Sequence, residues 1–158
     1  MTVSTDGQIC YGIPFEEDFE FPWTEDGDSD EEALRNWWIY KIHGFKHDFE
    51  LYDEDGEYLG GKVPSAEEKQ RYYGPWQKFV DEHPLPIELV NYCSGDYPMY
   101  ILAVPRTLKK NARGDAVAFS PGDLVVTEEE RSTLIDFCQL YEIEMPSEPK
   151  WYLSSVWM

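Results

Sequence analysis

Between Glu16 and Glu32, ten of seventeen residues are Asp or Glu, none is Lys or Arg, and Phe19, Phe21 and Trp23 stand among them. Carboxylates at this density can coordinate a hard divalent cation, or pair with the lysines and arginines of another molecule. The calcium reading can be tested by spacing. Asp26, Asp28 and Asp30 alternate as a calcium loop opens, but its sixth position, where the turn needs glycine, is Glu31, and its twelfth, where a bidentate glutamate belongs, is Trp37. Asp53, Asp55 and Gly56 fail in the same way, because their twelfth position is Pro64. Only loose, nonspecific divalent binding survives that comparison. A cationic partner is the stronger reading for Glu16, Glu17, Asp18, Glu20, Glu25, Asp26 and Asp28. Phe19, Phe21 and Trp23 would be the apolar anchors that such an interface desolvates. Like charges this close repel and favour solvated chain, so the segment is expected to be a displayed surface or a tethered arm.

Other chemistry is thinly represented. A nucleophile at Cys93 or Ser94 would need a histidine, and the chain has only His43, His47 and His83, none in a recognisable catalytic context. His43 and His47 are four apart, as in a helical metal pair, but Gly44 between them should end the helix and no third ligand is evident. His83 precedes Pro84 and suits a helix C-terminus. No phosphate-binding loop, dinucleotide fingerprint or hydrolase elbow occurs, and no cofactor is implied. Among 32 acidic residues, a carboxylate pair has no diagnostic value for hydrolysis. A small enzyme with a site at the turn of residues 94–99, beside the basic loop, is the catalytic alternative. Tyr97–Tyr100 and Trp151–Trp157 could line a pocket or a partner surface, and core packing is the better reading of both.

The net charge of −19 makes direct binding to nucleic acid or to an anionic membrane unfavourable over most of the molecule. It is unevenly placed: residues 1–64 carry 17 acidic and 4 basic side chains, and residues 65–158 carry 15 and 9. The exception is Arg106 to Arg113, with four cations and no acid between Asp96 and Asp115. That run would either grip a phosphate or a carboxylate of a partner, or neutralise the acidic lobe from within. Cys10, Cys93 and Cys138 are an odd number without metal spacing, in apolar surroundings that imply reduced, buried thiols. The first residues lack the features of a secretory signal and no stretch is long enough to span a bilayer, so a cytosolic protein is expected.

The elements that would position these groups can be placed from capping and periodicity. With 16% aromatic residues, including six Trp and eleven Tyr, the 158-residue chain has the side chains for a real core and is expected to form one domain, with an acidic, mobile segment at 16–32. Ser29 with Glu32, Ser65 with Glu68 and Thr127 with Glu130 are capping-box pairs, each opening a helix. The first helix is predicted over 30–43 with an apolar stripe of Leu34, Trp37, Trp38 and Ile42, ended by Gly44. The second should kink or split at Gly74-Pro75. The third, 128–141, buries Leu134, Phe137, Cys138 and Tyr141. Ile87–Tyr92 and Met99–Val104 read as a hairpin turning at Ser94-Gly95-Asp96, flanked by candidate strands Gln8–Ile13 and Lys150–Trp157. A second hairpin is predicted over 49–58, turning at Asp55-Gly56, and a mobile loop over 109–123. The result is α+β: a mainly antiparallel sheet of about four strands packed against about three helices.

CYGIPFEEDFEFPW near the start, LPIELVNYCSGDYPMYILAVP in the middle and PKWYLSSVW at the end resemble small, acidic, uncharacterised proteins of tailed bacteriophages and prophages. The resemblance implies no catalytic residue. It implies a protein that binds and blocks a host factor in the host cytoplasm, such as a defence nuclease or CRISPR complex, so that the acidic face would act as a nucleic-acid mimic on a basic host surface. Self-assembly into a homo-oligomer or a virion is the remaining alternative.

Overall fold

The computed structural model describes residues 5–47, 51–53 and 57–157. The chain gathers into two compact units, one of Met1–Glu31 with Pro86–Met158 and one of Glu32–Leu85. The fold is α+β, with five strands among the described residues where about four were expected.

The first unit holds β1 (Thr5–Pro14), β2 (Glu88–Ser94), β3 (Pro98–Ala103), β4 (Lys109–Asn111), α3 (Glu128–Leu140) and β5 (Lys150–Trp157). Strand order is β3-β2-β5-β1-β4, and β1 also pairs with β3, so the sheet curls back on itself. Every pairing is antiparallel except β2 with β5. Alternation sends Cys10, Val90, Ile101 and Ala103 to the inside, with Tyr92, Leu108 and Tyr152 packed against them. Closure depends on Gly12, which pairs with Ala103: a Cβ there would press on the carbonyl oxygen of Leu102 and lie 2.8 Å from both Ala103 Cα and Ile101 Cγ2. No side chain fits at this one position of β1.

The fifth strand is the one that was missed. Lys109–Asn111, read as the start of a mobile loop, pairs with Gly7–Ile9, and Pro121–Leu124 later in that loop forms a 3-10 turn. A short 3-10 turn, Pro105–Thr107, separates β3 from β4 along the same edge of β1. Thr107, fully buried, bridges the interruption: its hydroxyl donates to Val104 O at 2.6 Å and accepts from Tyr11 N–H at 3.0 Å. Removing the hydroxyl leaves Tyr11 N–H without this partner, at about 1–3 kcal/mol, while Val104 O keeps its bond from Thr107 N–H at 3.0 Å. Thr107→Val, which keeps the shape, should therefore lower unfolding free energy by about that amount, read as a shifted urea midpoint at unchanged slope.

In α3, Thr127 accepts from Glu130 N–H and the Glu130 carboxylate accepts from Thr127 N–H, the capping box expected there. Leu134, Phe137 and Cys138 are buried and Tyr141 caps the helix, half-buried. Cys10 and Cys138 are buried thiols, whereas Cys93 is exposed, contrary to the expectation for all three. It sits at the turn end of β2 with φ of 76°, on the outward side of the alternation that buries Val90 and exposes Asn91.

The second unit contains α1 (Glu31–Asn36, whose first residue belongs to the other unit), a π-helix (Trp37–Ile42) and α2 (Ala66–Glu82). The helix predicted over 30–43 thus exists but widens midway. Trp37, Trp38 and Ile39 are consecutive and all buried, a pattern that an α-helix would spread over too wide an arc, and the larger π turn narrows it. Ile39 takes the inward place expected of Ile42. Gly44 follows with φ of 68°, the left-handed end expected of it. The expected cap Ser29 instead pairs its hydroxyl with Thr24 Oγ1 at 2.6 Å. The Ser65–Glu68 capping box is present, and α2 runs through Pro75 without splitting. Pro75 brings no N–H to the helix ladder, but it lies on the exposed side of α2, where water can serve the preceding turn. Tyr52 and Tyr58 bridge the predicted second hairpin, whose turn at Asp55-Gly56 lies outside the described residues.

His43 closes the π-helix, its N–H bonding Trp38 O at 3.1 Å and its ring set edge-on to Trp38, 4.4 Å from the ring of His83. His43 Nε2 is buried and has no hydrogen-bond partner among the described residues. Burial, and next the nearby His83, lower its pKa below the ordinary imidazole value, and burial does the same to His47. The folded form therefore favours neutral rings, and the unfolded chain binds more protons below its own pKa of about 6.5. Stability of this unit should be complete above that value and fall as pH drops through it. His43→Phe should flatten the loss, leaving the part due to His47; urea midpoints at pH 8 and pH 5, followed through amide exchange in α2, measure both.

Candidate protein-interaction surface

Residues 15–29 form a succession of tight turns within the first unit. Phe19 N–H bonds Glu16 O at 3.1 Å and Thr24 N–H bonds Phe21 O at 3.0 Å, while Thr24 Oγ1 accepts from Phe21 N–H at 2.9 Å. Glu25 and Asp28 exchange both backbone bonds around Asp26-Gly27, whose φ values of 52° and 85° make a type I′ turn. The alternation of aromatic and acidic residues then sorts by side. Phe15, Phe21 and Trp23 are buried and Phe19 half-buried, with ring centroids 4.6 Å apart for Phe15–Phe19 and Phe21–Trp23 and 4.9 Å for Phe15–Phe21. Tyr100 of β3 meets Phe21 edge-on, and Trp23 Nε1–H donates to Ser29 O at 3.1 Å. Glu16, Glu17, Asp18, Glu20, Glu25, Asp26 and Asp28 all face solvent.

Magnitudes explain why the crowded acids do not unfold the segment. Two charges a few Å apart in water repel by about 1 kcal/mol, less once salt screens them. A buried Phe or Trp removes 150–250 Å² from water at about 25 cal/mol per Å², so about 4–6 kcal/mol each before entropy. Packing wins, and of the two forms expected, displayed surface or tethered arm, the segment takes the first, an edge mounted on buried rings. Two assignments change with it. Phe21 and Trp23, read as anchors for a partner, are only 4% and 2% exposed. They hold the segment to the sheet and cannot be offered without unfolding it.

The turn between β2 and β3 joins this edge. Glu17, Asp18, Glu20 and Asp28 share a cleft of about 350 Å³ with Asp96, and Phe19, Tyr97 and Tyr100 supply its aromatic surface. Burial first, and then the charges of Asp28 and Asp30, raise the pKa of Tyr100, so the acidic field reaches the cleft wall. In sequence, Asp96 reads as part of a catalytic turn, and Tyr97 as lining a pocket or a partner surface, with core packing the better reading. Nothing local links them to residues 16–28; the link is the β2–β3 hairpin together with the Phe15 N–H to Tyr100 O bond of 2.9 Å.

The basic run is engaged elsewhere. Arg106 makes a two-pronged pair with Glu130, at 2.6 Å and 3.0 Å, and bonds Val125 O. That pair, with the bond from Thr127 N–H, holds the Glu130 carboxyl at about 2. Lys109 lies 3.8 Å from Asp123. Lys110 works against the upward shift that burial, and next Glu31, impose on Glu88. The neutralisation foreseen for this run thus falls on Glu130, Asp123 and Glu88.

The catalytic alternative gathers little. Ser94 Oγ accepts from Asp96 N–H at 3.1 Å, and all three histidines belong to the other unit. Among the described residues, no three His, Cys, Asp or Glu side chains are placed to hold a metal ion, and no helix is long and apolar enough to cross a membrane. What the acidic edge can do is pair with cations and stack an aromatic ring against them. Comparison with family models, curated proteins and solved structures finds no match to this chain.

Proposed function

We propose that the protein binds and blocks a host factor by presenting the edge of residues 16–28, with Asp96 and Tyr97, to a basic surface that normally holds nucleic acid. The observation that carries this reading is the solvent-facing placement of Glu16, Glu17, Asp18, Glu20, Glu25, Asp26 and Asp28 on hydrogen-bonded turns while Arg106 and Lys109 pair with Glu130 and Asp123. Duplex DNA carries one charge per about 1.7 Å of axis, and carboxylates fixed on a turn-rich edge approximate such a row better than a mobile tail, which would lose entropy on docking. Phe19 and Tyr97 add stacking surface for arginine.

The resemblance to phage proteins directs the test to a bacterial lysate. Immobilised protein should retain a nucleic-acid-handling factor at low salt and release it as salt rises from about 0.1 M to about 0.5 M, where the Debye length shrinks to a few Å. Duplex oligonucleotide should displace it. Capture that ignores both salt and DNA would overturn the reading.

A further inference from the structure

Register divides β1 and β5 between the two sides of the sheet. The pair Cys10↔Tyr152 faces the core, so Tyr11↔Trp151, Ile9↔Leu153, Gly7↔Ser155 and Thr5↔Trp157 form a row on the outer side. That side is apolar and uncovered. Leu153 is 84% exposed and Trp157 61%, and Val117 and Phe119, about half exposed, border Leu153 from the segment after β4. Acid is scarce here: β1, β4 and β5 hold one carboxylate, Asp6, against Lys109, Lys110 and Lys150. Asp6 is out of step with the outer row and its Oδ1 accepts from Arg113 N–H at 3.3 Å, while Asp123 at the border lies 3.8 Å from Lys109. The face also carries both a socket and a projection. Ile9, Leu153, Val117 and Phe119 enclose a cleft of about 340 Å³ that Gly7 also lines, and a Cβ on Gly7 would meet nothing within 4 Å. Trp157 stands in the same row, about 13 Å along the strand from Leu153.

We propose that a second copy of this chain covers the face, as a weak two-fold dimer in which the Trp157 ring of each copy sits in the other's cleft over Gly7. A projection and a socket on one face are self-complementary under a two-fold axis, which brings each against its counterpart. Twisted sheets stack in this way about 10 Å apart, and a glycine within a strand leaves the room that close approach needs. Charge selects the occupant. A basic partner is drawn to the edge of residues 16–28, whereas a second copy, itself at −19, can come close only where acid is scarce. The uncovered patch is on the order of a few hundred Å², enough to mark an interaction site but short of the roughly 800 Å² per partner of a standard interface. A dissociation constant on the order of 10–100 μM follows. The two acidic bodies repel outside the contact, so the dimer should tighten as salt rises, opposite to capture by the acidic edge. Either reading can therefore fail without the other.

Sedimentation of the full chain from about 5 μM to about 500 μM should show a monomer–dimer equilibrium that tightens at least roughly fivefold between about 0.05 M and about 0.5 M salt. Hydroxyl-radical footprinting should show Phe119, Leu153 and Trp157 protected as concentration rises, while Leu140, exposed on α3, keeps its reactivity. Gly7→Val fills the socket without adding charge, and its Cβ meets nothing in its own chain; Trp157→Ala removes the projection. Each should weaken the dimer roughly tenfold or more at unchanged circular dichroism, and Leu140→Ala should leave it intact. The proposal is overturned by a monomer at every concentration and salt, by a dimer that Gly7→Val and Trp157→Ala both leave intact, or by protection of the face from phosphatidylglycerol vesicles and not from added protein.

Discussion

Replacing Glu16, Glu17, Asp18 and Glu20 together by their amides should leave the melting temperature unchanged or slightly higher and weaken capture of the basic partner roughly 10- to 100-fold. The four side chains face solvent, so their loss removes only mutual repulsion from the folded state, where surface changes move stability by about 0.5 kcal/mol. In a complex each meets a cation across the interface. An exposed pair contributes about 0.2–1 kcal/mol, and a pair desolvated at the interface centre more. The loss should appear mainly as slower association and a shallower dependence on salt, because a ring of like charge steers encounter over longer range than it holds contact. Surface plasmon resonance across a salt series separates these effects. Unchanged affinity together with an unchanged salt slope would remove the acidic edge from the function altogether.

How far the sequence could carry this reading depended on whether a feature is local. The hairpin of β2 and β3, the flanking strands β1 and β5, and the capping boxes at Ser65 and Thr127 all declare themselves within a few residues, and all are present. Three features are not local. The β1–β3 pairing follows from the close approach at Gly12, which reads in sequence only as a glycine in a strand. β4 is made of lysines and an asparagine, poor strand formers on composition, and exists because β1 offers an edge there. The π-helix arises from three consecutive buried residues, a conflict that no α-helical period can satisfy. For the candidate site, the acids were legible as acids. The direction of each aromatic was not, because Phe19, Phe21 and Trp23 alternate with polar residues as a half-buried strand would, and which side meets the protein is decided by Phe15 and Tyr100.

Trp23→Ala should destabilise the first unit by about 3–5 kcal/mol and abolish partner binding while every carboxylate stays in the chain. The ring is 2% exposed, stacks on Phe21 at 4.6 Å with planes 11° apart, and gives its N–H to Ser29 O. Truncation leaves a cavity beneath the type I′ turn and an unpaired carbonyl beside it, two costs that add in a site with little room to collapse. Against a typical total of about 5–15 kcal/mol this is a large fraction, and for a chain of this size each kcal/mol lowers the melting temperature by about 2–4 °C. Binding distinguishes two pictures of the acidic segment. An unstructured charged arm would keep its affinity after Trp23 is removed, because its charge is unchanged. A mounted edge loses its spacing once residues 15–29 detach, and the ordering entropy returns at roughly 1–2 kcal/mol per residue, enough to erase the contribution of several surface pairs. Trp23→Phe, which keeps an aromatic ring against Phe21 while losing the N–H and part of the indole's bulk, should recover most of the affinity, and parallel calorimetry and binding on the two variants decide between an arm and an edge.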